Sequence, residues 1–94
     1  MKKGKFLNRP LVKTSEILEG ECIISRNTVK QLKAKGRGSF ASRHEILGQI
    51  EEELFELKEA IHSGDLQRIE EELADIGTTC SFGIACIKAN GLEW

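Results

Sequence analysis

The sequence predicts an all-α fold, in which an antiparallel helical hairpin follows one further helix and several copies assemble into an oligomeric helical bundle. Three observations support this class. Apolar residues recur at spacings of three and four, an S-x-x-E capping box opens one long amphipathic segment, and only three residues separate that segment from the next. Helix is therefore the regular element that the sequence supports.

The first predicted helix runs from about Thr14 or Ser15, either of which can cap it, to about Ala34. The segment before it is rich in lysine and arginine. We predict a basic, poorly ordered segment over residues 1–13 and one helical domain over residues 14–94. The apolar stripe of this helix, which we expect to pack inside the protein, contains Ile17, Leu18, Cys22, Val29 and Leu32.

The second predicted helix begins at the capping box formed by Ser42 and Glu45. Its apolar stripe recurs every three or four residues, which places it on one helical face and excludes a strand. The members of this stripe are Ile46, Ile50, Leu54, Leu57 and Ile61. Ser63-Gly64-Asp65 then ends this helix and caps the next.

The third predicted helix runs from about Leu66 to Lys88 and should lie antiparallel to the second, because their connection is short. Its main apolar stripe contains Leu66, Ile69, Leu73, Ile76, Cys80, Ile84 and Ile87. A second uncharged face contains Thr79, Phe82, Cys86 and Ala89. One hairpin and one further helix cannot cover both faces, so we expect another copy of the chain over the second, in a dimer or tetramer.

Composition narrows the classes of function. Charged residues make up 31% of the chain with a formal net charge of -1, which is typical of globular proteins and not of nucleic-acid binders. Neither a secretory signal nor a membrane-spanning segment is recognisable. The three cysteines have neither the spacing of zinc ligands nor that of a disulfide framework. We therefore expect a cytoplasmic protein without a membrane or nucleic-acid partner.

Paired acidic residues carry the chemical signal. Glu53 and Glu56 lie three residues apart on the second helix, and Glu72 and Asp75 do so on the third. Each pair projects from one side of its helix, and the hairpin should bring the pairs together. Clustered carboxylates repel one another unless a cation neutralises them, and oxygen ligands favour Mg²⁺, with Mn²⁺ as an alternative. The competing interpretation is that these acids form the solvated faces of two surface helices.

The pattern resembles the MazG-like all-α nucleoside triphosphate pyrophosphohydrolases, whose signature is ExxE followed by ExxD. Here Glu53-Leu54-Phe55-Glu56 precedes Glu72-Leu73-Ala74-Asp75 by fifteen residues. The resemblance covers about residues 42 to 88. It implies that Glu53, Glu56, Glu72 and Asp75 bind Mg²⁺ together with the triphosphate, and that Glu52 is an additional acid that orients or deprotonates water, unless it is merely solvated.

The resemblance further implies Mg²⁺-dependent hydrolysis of an NTP or dNTP between its α and β phosphates, which yields the monophosphate and pyrophosphate. Phosphate charge needs cationic partners, and the expected ones are Arg43, Lys58 and Lys88. Lys35, Arg37 and Arg68 are further candidates. The alternative function is a non-catalytic helical interaction module whose acids bind a structural cation or contact a basic partner. The base and sugar of the substrate stay open.

Overall fold

The computed structural model describes residues 9–93 as three α-helices joined by two connections. They are α1 (Thr14–Lys35), α2 (Arg43–Ser63) and α3 (Leu66–Lys88). The all-α prediction is confirmed, and each helix begins and ends within about a residue of its predicted bounds. Most of the predicted basic segment, residues 1–8, lies outside the described residues. Within residues 9–93, every helix is too short or too polar to serve as a membrane span.

Local hydrogen bonds explain the helix ends. Ser42 caps α2, since its hydroxyl accepts from the Glu45 amide at 3.2 Å, and the Glu45 carboxylate in return accepts from the Ala41 amide at 2.6 Å. Gly64 ends α2 with a φ of 74°, a left-handed conformation that favours glycine. The Asp65 carboxylate then caps α3 by accepting from two backbone amides.

The start of α1 differs from the prediction. Its N-cap is Lys13, so Thr14 and Ser15 belong to the first turn rather than capping it. The Glu16 carboxylate accepts from the Lys13 amide at 2.9 Å, which satisfies one of the backbone donors at this end. An acidic residue in the first turn thus replaces the expected hydroxyl cap.

The central helix of the fold is α3, which packs against α2 on one flank and against α1 on the other. Within the described chain, α1 and α2 do not pack on each other. Gly77 allows α1 to approach closely, because a Cβ atom there would lie 2.8 Å from Ile24 Cδ1. The two outer helices therefore diverge from a shared support and leave a cleft between them.

The apolar stripes predicted to pack inside the chain are largely exposed. On α3, Leu73, Ile84 and Ile87 are exposed by 52%, 59% and 59%, whereas the buried residues are Ala74, Thr78, Thr79, Gly83 and Cys86. The face that we expected a second copy to cover therefore packs within the chain. The stripe of α1 is wrong in the same way, because its contacts with α3 involve Ile24, Asn27 and Thr28. Periodicity located amphipathic helices but not the neighbour of each face.

Small residues make up the interior. Among residues 9–93, the buried hydrophobic residues are Ala60, Ala74 and Cys86, and no large side chain is fully buried. A core of this kind removes little apolar surface from water, at roughly 25 cal/mol for each Å². The single chain therefore leaves much of its apolar surface available for contact with another molecule.

Candidate functional site

A cleft of about 420 Å³ lies between α1 and α2. Its walls include Thr28 and Lys35 of α1, the loop around Phe40, and Gln49 of α2. The cleft face of α3 contributes Asp75, Thr78, Thr79 and Phe82. This volume falls within the range of small-molecule sites, and the lining combines acidic side chains with the rings of Phe40 and Phe82.

Three of the four predicted metal ligands line this cleft, namely Glu53, Glu56 and Asp75. Glu52, the predicted catalytic acid, lines it as well, although its side chain is largely exposed. Glu72 is half-buried and lies outside the cleft lining. The hairpin thus brings acids of both helices to one cleft, and their role as metal ligands stays a prediction.

Glu53 is the most constrained of these acids, with only 7% of its surface exposed. Its Oε2 atom accepts hydrogen bonds from the Thr79 hydroxyl at 2.8 Å and from the Gln49 amide at 3.1 Å. Its Oε1 atom is buried and has no hydrogen-bond partner. A buried carboxylate oxygen without a partner costs about 1–3 kcal/mol or more, so this atom needs a ligand.

Asp75 is positioned by α1. Its Oδ1 atom accepts a hydrogen bond of 3.0 Å from the Asn27 side-chain amide. Asn27 lies 48 residues earlier in the chain, so this contact depends on the packing of α1 against α3. One oxygen of each of these two carboxylates is therefore held by neutral donors.

Glu72 is the acid of this cluster whose pKa is raised. Burial raises the pKa of Glu72, and the negative charges of Glu56 and Asp75 raise it further. Glu53 acts in the same direction, while Arg68 has the opposite effect on this pKa. The Oε1 atom of Glu72 is also buried without a hydrogen-bond partner. A nearby cation would stabilise the ionised form of this carboxylate.

The site meets the chemical requirements for a divalent cation in part. Two buried carboxylate oxygens lack partners, and oxygen donors alone suit Mg²⁺ or Mn²⁺. Within residues 9–93, however, no three acidic, histidine or cysteine side chains converge into a ready-made cation cage. Hydrogen bonds hold one oxygen each of Glu53 and Asp75, and a cation shared by three or more acids requires side chains of the cluster to rearrange.

The cationic residues are distributed differently from the acids. Lys35 lines the cleft, whereas the predicted phosphate-binding residues Arg43, Lys58 and Lys88 are exposed and lie outside its lining. Their role in phosphate binding stays a prediction. Among residues 9–93, Lys35 is the one lysine or arginine that lines this cleft.

The loop between α1 and α2 closes one end of the cleft and is held from two directions. The Phe40 ring packs edge-on against Phe82 of α3, with ring centroids 5.4 Å apart and an interplanar angle of 77°. Beyond α3, the Glu93 amide donates to the Ala41 carbonyl at 2.8 Å. These contacts fix the position of an aromatic wall next to the acids.

Sequence reasoning missed the polar residues that hold the acids. Thr79 belongs to the uncharged face predicted to contact another copy, and neither Gln49 nor Asn27 belongs to the predicted site. Gln49 precedes Glu53 by four residues, a spacing that places the two side chains together on one helix. Asn27 carries no such signal, because its partner belongs to another helix.

Comparison with known protein families places α2 and α3 within a family domain. The model of the MazG nucleotide pyrophosphohydrolase domain matches residues 41–90, which covers α2, α3 and the turn between them. All four predicted metal ligands and Glu52 lie inside the matched range, whereas α1 lies before it. Comparison of the chain with curated proteins gives no match, and neither does comparison with solved structures.

Proposed function

This chain belongs to the MazG nucleotide pyrophosphohydrolase family, and from this premise we propose that it hydrolyses a nucleoside triphosphate to the monophosphate and pyrophosphate in a Mg²⁺-dependent reaction. The substrate is an NTP or a dNTP. Mn²⁺ is the expected substitute, because both ions take oxygen ligands. The cleft between α1 and α2 is the proposed nucleotide site.

One observation carries the proposal: Glu53 is buried beside the cleft with one oxygen held by two donors and the other without a partner. A structural acid on a solvated helix face would have both oxygens in water. Glu56, Glu72 and Asp75 are the further proposed ligands, and the negative charges of Glu53, Glu56 and Asp75 all raise the pKa of Glu72. The raised pKa of Glu72 supports the view that this cluster is completed by a cation.

In the proposed reaction, the oxygen of a water molecule attacks the α-phosphorus, and the bond from that phosphorus to the bridging oxygen breaks. Glu52 lines the cleft at its exposed side, where its carboxylate can accept the proton of the water. Bound Mg²⁺ would neutralise phosphate charge and leave coordination positions for the triphosphate. The negative charge of the leaving pyrophosphate needs a cationic partner. Lys35, which lines the cleft, is a candidate for this role beside Arg43, Lys58 and Lys88.

We also propose that the working protein is a homo-oligomer, a dimer or a tetramer, in which a second copy covers the back stripe of α3. This back stripe consists of Leu73, Cys80, Ile84 and Ile87, all of which are exposed. A second copy is the simplest cover, since each chain presents the same apolar surface and two-fold contacts are self-complementary.

The three cysteines are unpaired thiols, which supports the cytoplasm as the location.

The test is a pyrophosphate-release assay on a panel of NTPs and dNTPs, with and without Mg²⁺. We expect Glu53→Gln to lower kcat/KM by more than about 100-fold, because it removes a ligand charge at constant volume. Glu52→Gln should lower kcat by roughly 10² to 10⁴ with little change in metal affinity. Glu59→Gln is the matched control, since this exposed acid of α2 lies outside the cleft lining.

Wild-type rates in Glu53→Gln would end the assignment of the metal site. A change confined to metal binding in Glu52→Gln would make Glu52 a ligand. If folded, metal-replete protein turns over none of the nucleotides, the alternative function, a non-catalytic helical interaction module, would be favoured instead.

A further inference from the structure

The amide of Asn27 lies at the junction of α1 and α3, beside a predicted metal ligand. Its Nδ2 atom lies 3.0 Å from Asp75 Oδ1, 2.9 Å from Thr78 Oγ1 and 3.4 Å from the Ala74 carbonyl oxygen. The side chain is half-buried. It precedes the matched family range of residues 41–90, so no family signature accounts for it.

The direction of these hydrogen bonds is fixed by the neighbouring hydroxyls. Thr28 donates its single hydroxyl proton to the Ile24 carbonyl at 2.9 Å. In the 3.1 Å contact between the two hydroxyls, Thr78 must therefore be the donor and Thr28 the acceptor. Thr78 then has only acceptor capacity left for Asn27. The Asn27 amide must direct its NH₂ group toward Thr78 and Asp75.

This orientation has a consequence for Asp75. A reversed amide would place its oxygen against the carboxylate, which can only accept hydrogen bonds when ionised. Asp75 lines the main cleft and also a second depression on the other side of α1, whose walls include Asn27, Arg26 and Lys30. Without the amide, the carboxylate could turn toward either opening. The bond to Oδ1 holds it in one position and leaves Oδ2 for another ligand.

We propose that Asn27 is a positioning residue that orients Asp75 for cation binding, so that α1 forms part of the active site although it precedes the family domain. This inference rests on the proposed function, because it needs Asp75 to be a metal ligand. The Thr28–Thr78 pair sets the direction of the amide, and Asn27 transmits that direction to Asp75. Asn27 does not line the proposed nucleotide cleft, so this role requires no contact between Asn27 and the nucleotide.

The experiment measures Mn²⁺ affinity of the full chain without nucleotide, from the electron paramagnetic resonance signal of the free ion. Asn27→Leu keeps similar volume and removes both donors. We expect Mn²⁺ binding to weaken by about 10-fold or more, as for other groups that orient metal ligands. In turnover assays, the Mn²⁺ concentration needed for half-maximal rate should rise more than kcat falls. Lys33→Leu is the matched control, because it is exposed on α1 and lies outside both clefts.

Thr28→Val supplies a second variant of nearly equal size, for use if Asn27→Leu fails to fold. It frees the Thr78 hydroxyl proton and lets the amide reverse, so we expect a smaller but measurable loss of Mn²⁺ affinity. Unchanged affinity in folded Asn27→Leu, or in Thr28→Val where only that variant folds, overturns the role of Asn27. Wild-type protein that binds no Mn²⁺ would instead overturn the metal site of the proposed function.

Discussion

The two faces of α3 differ in the kind of side chain they carry and in what covers them. The cleft face presents Asp75, Thr78, Thr79 and Phe82, which are small, polar or aromatic and contact α1, α2 or the loop. The back stripe presents Cys80 and three large aliphatic residues, and Leu73, Ile84 and Ile87 are each more than half exposed. Asp75 and Ile84 lie nine residues apart, which is about half a turn of direction at 100° per residue.

This difference supports the proposal that the large apolar residues of α3 serve contact with another copy, whereas its small residues pack within the chain. Small side chains let three helices approach closely and leave space for hydroxyls and carboxylates. Large side chains bury more apolar area and so suit an interface. Chemistry and assembly can thus be separated on opposite sides of one helix.

The largest expected effect that tests this comparison comes from a charge on the back stripe. Ile84→Glu should convert the proposed oligomer to a 10.5 kDa monomer, because a carboxylate would be buried without a partner at the proposed interface. Light scattering at micromolar concentration measures the mass. Ala85→Glu is the control, since this exposed neighbour points about 100° away.

A monomeric wild-type protein would contradict the proposed contact between copies, because the back stripe would then need another partner. Phe82→Glu tests a contact within the chain, although the sequence predicts another copy over the face of α3 that includes Phe82. Phe82 contacts Phe40 within the chain, so its replacement should loosen the loop at the end of the cleft rather than the interface between copies.

A smaller effect is expected where α1 approaches the flank of α3. Gly77→Ala would bring a methyl group to 2.8 Å from Ile24 Cδ1, and the overpacking, typically about 1–3 kcal/mol, should outweigh the gain of about 1 kcal/mol in helix propensity. Gly48→Ala is the matched control in α2, where nothing lies within 4 Å of the added atom. Urea unfolding should show Gly48→Ala stabilised and Gly77→Ala destabilised; equal gains in both variants would contradict the close contact.

The smallest effect concerns the charge of Glu72, the half-buried acid outside the cleft lining. Because the pKa of Glu72 is raised in the folded state, its ionisation above that pKa disfavours folding. Glu72→Gln should therefore raise the Tm of metal-free protein at pH 7. The gain should disappear below the unfolded value of about 4.5, where Glu72 is protonated in both states. Thermal unfolding followed by circular dichroism at several pH values gives the measurement, and an unchanged Tm at pH 7 would count against burial of this charge.

How much the sequence could predict depends on the range of each interaction. Helix ends were predicted well because Ser42, Gly64 and Asp65 act through hydrogen bonds and backbone conformations within a few residues. The packing faces were predicted poorly because a large aliphatic side chain such as Ile84 signals burial without naming the molecule that buries it.

The site divides along the same line. Glu53, Glu56 and Asp75 could be predicted, since the spacing of each pair on its helix and one short turn are enough to bring them together. The hydrogen bonds from Thr79 to Glu53 and from Asn27 to Asp75 join different helices. Their existence depends on the rotation of each helix about its axis, which no local pattern determines.

The first turns of α1 are little covered by the rest of the described chain, since residues 14–22 are all exposed. A helix segment with few tertiary contacts depends on its own hydrogen bonds, and short segments of this kind are marginally stable in water. Their ordering is thus coupled to whatever covers them. If a second copy does so, part of the association free energy is spent on converting coil to helix, and the helical content of the protein rises with its concentration.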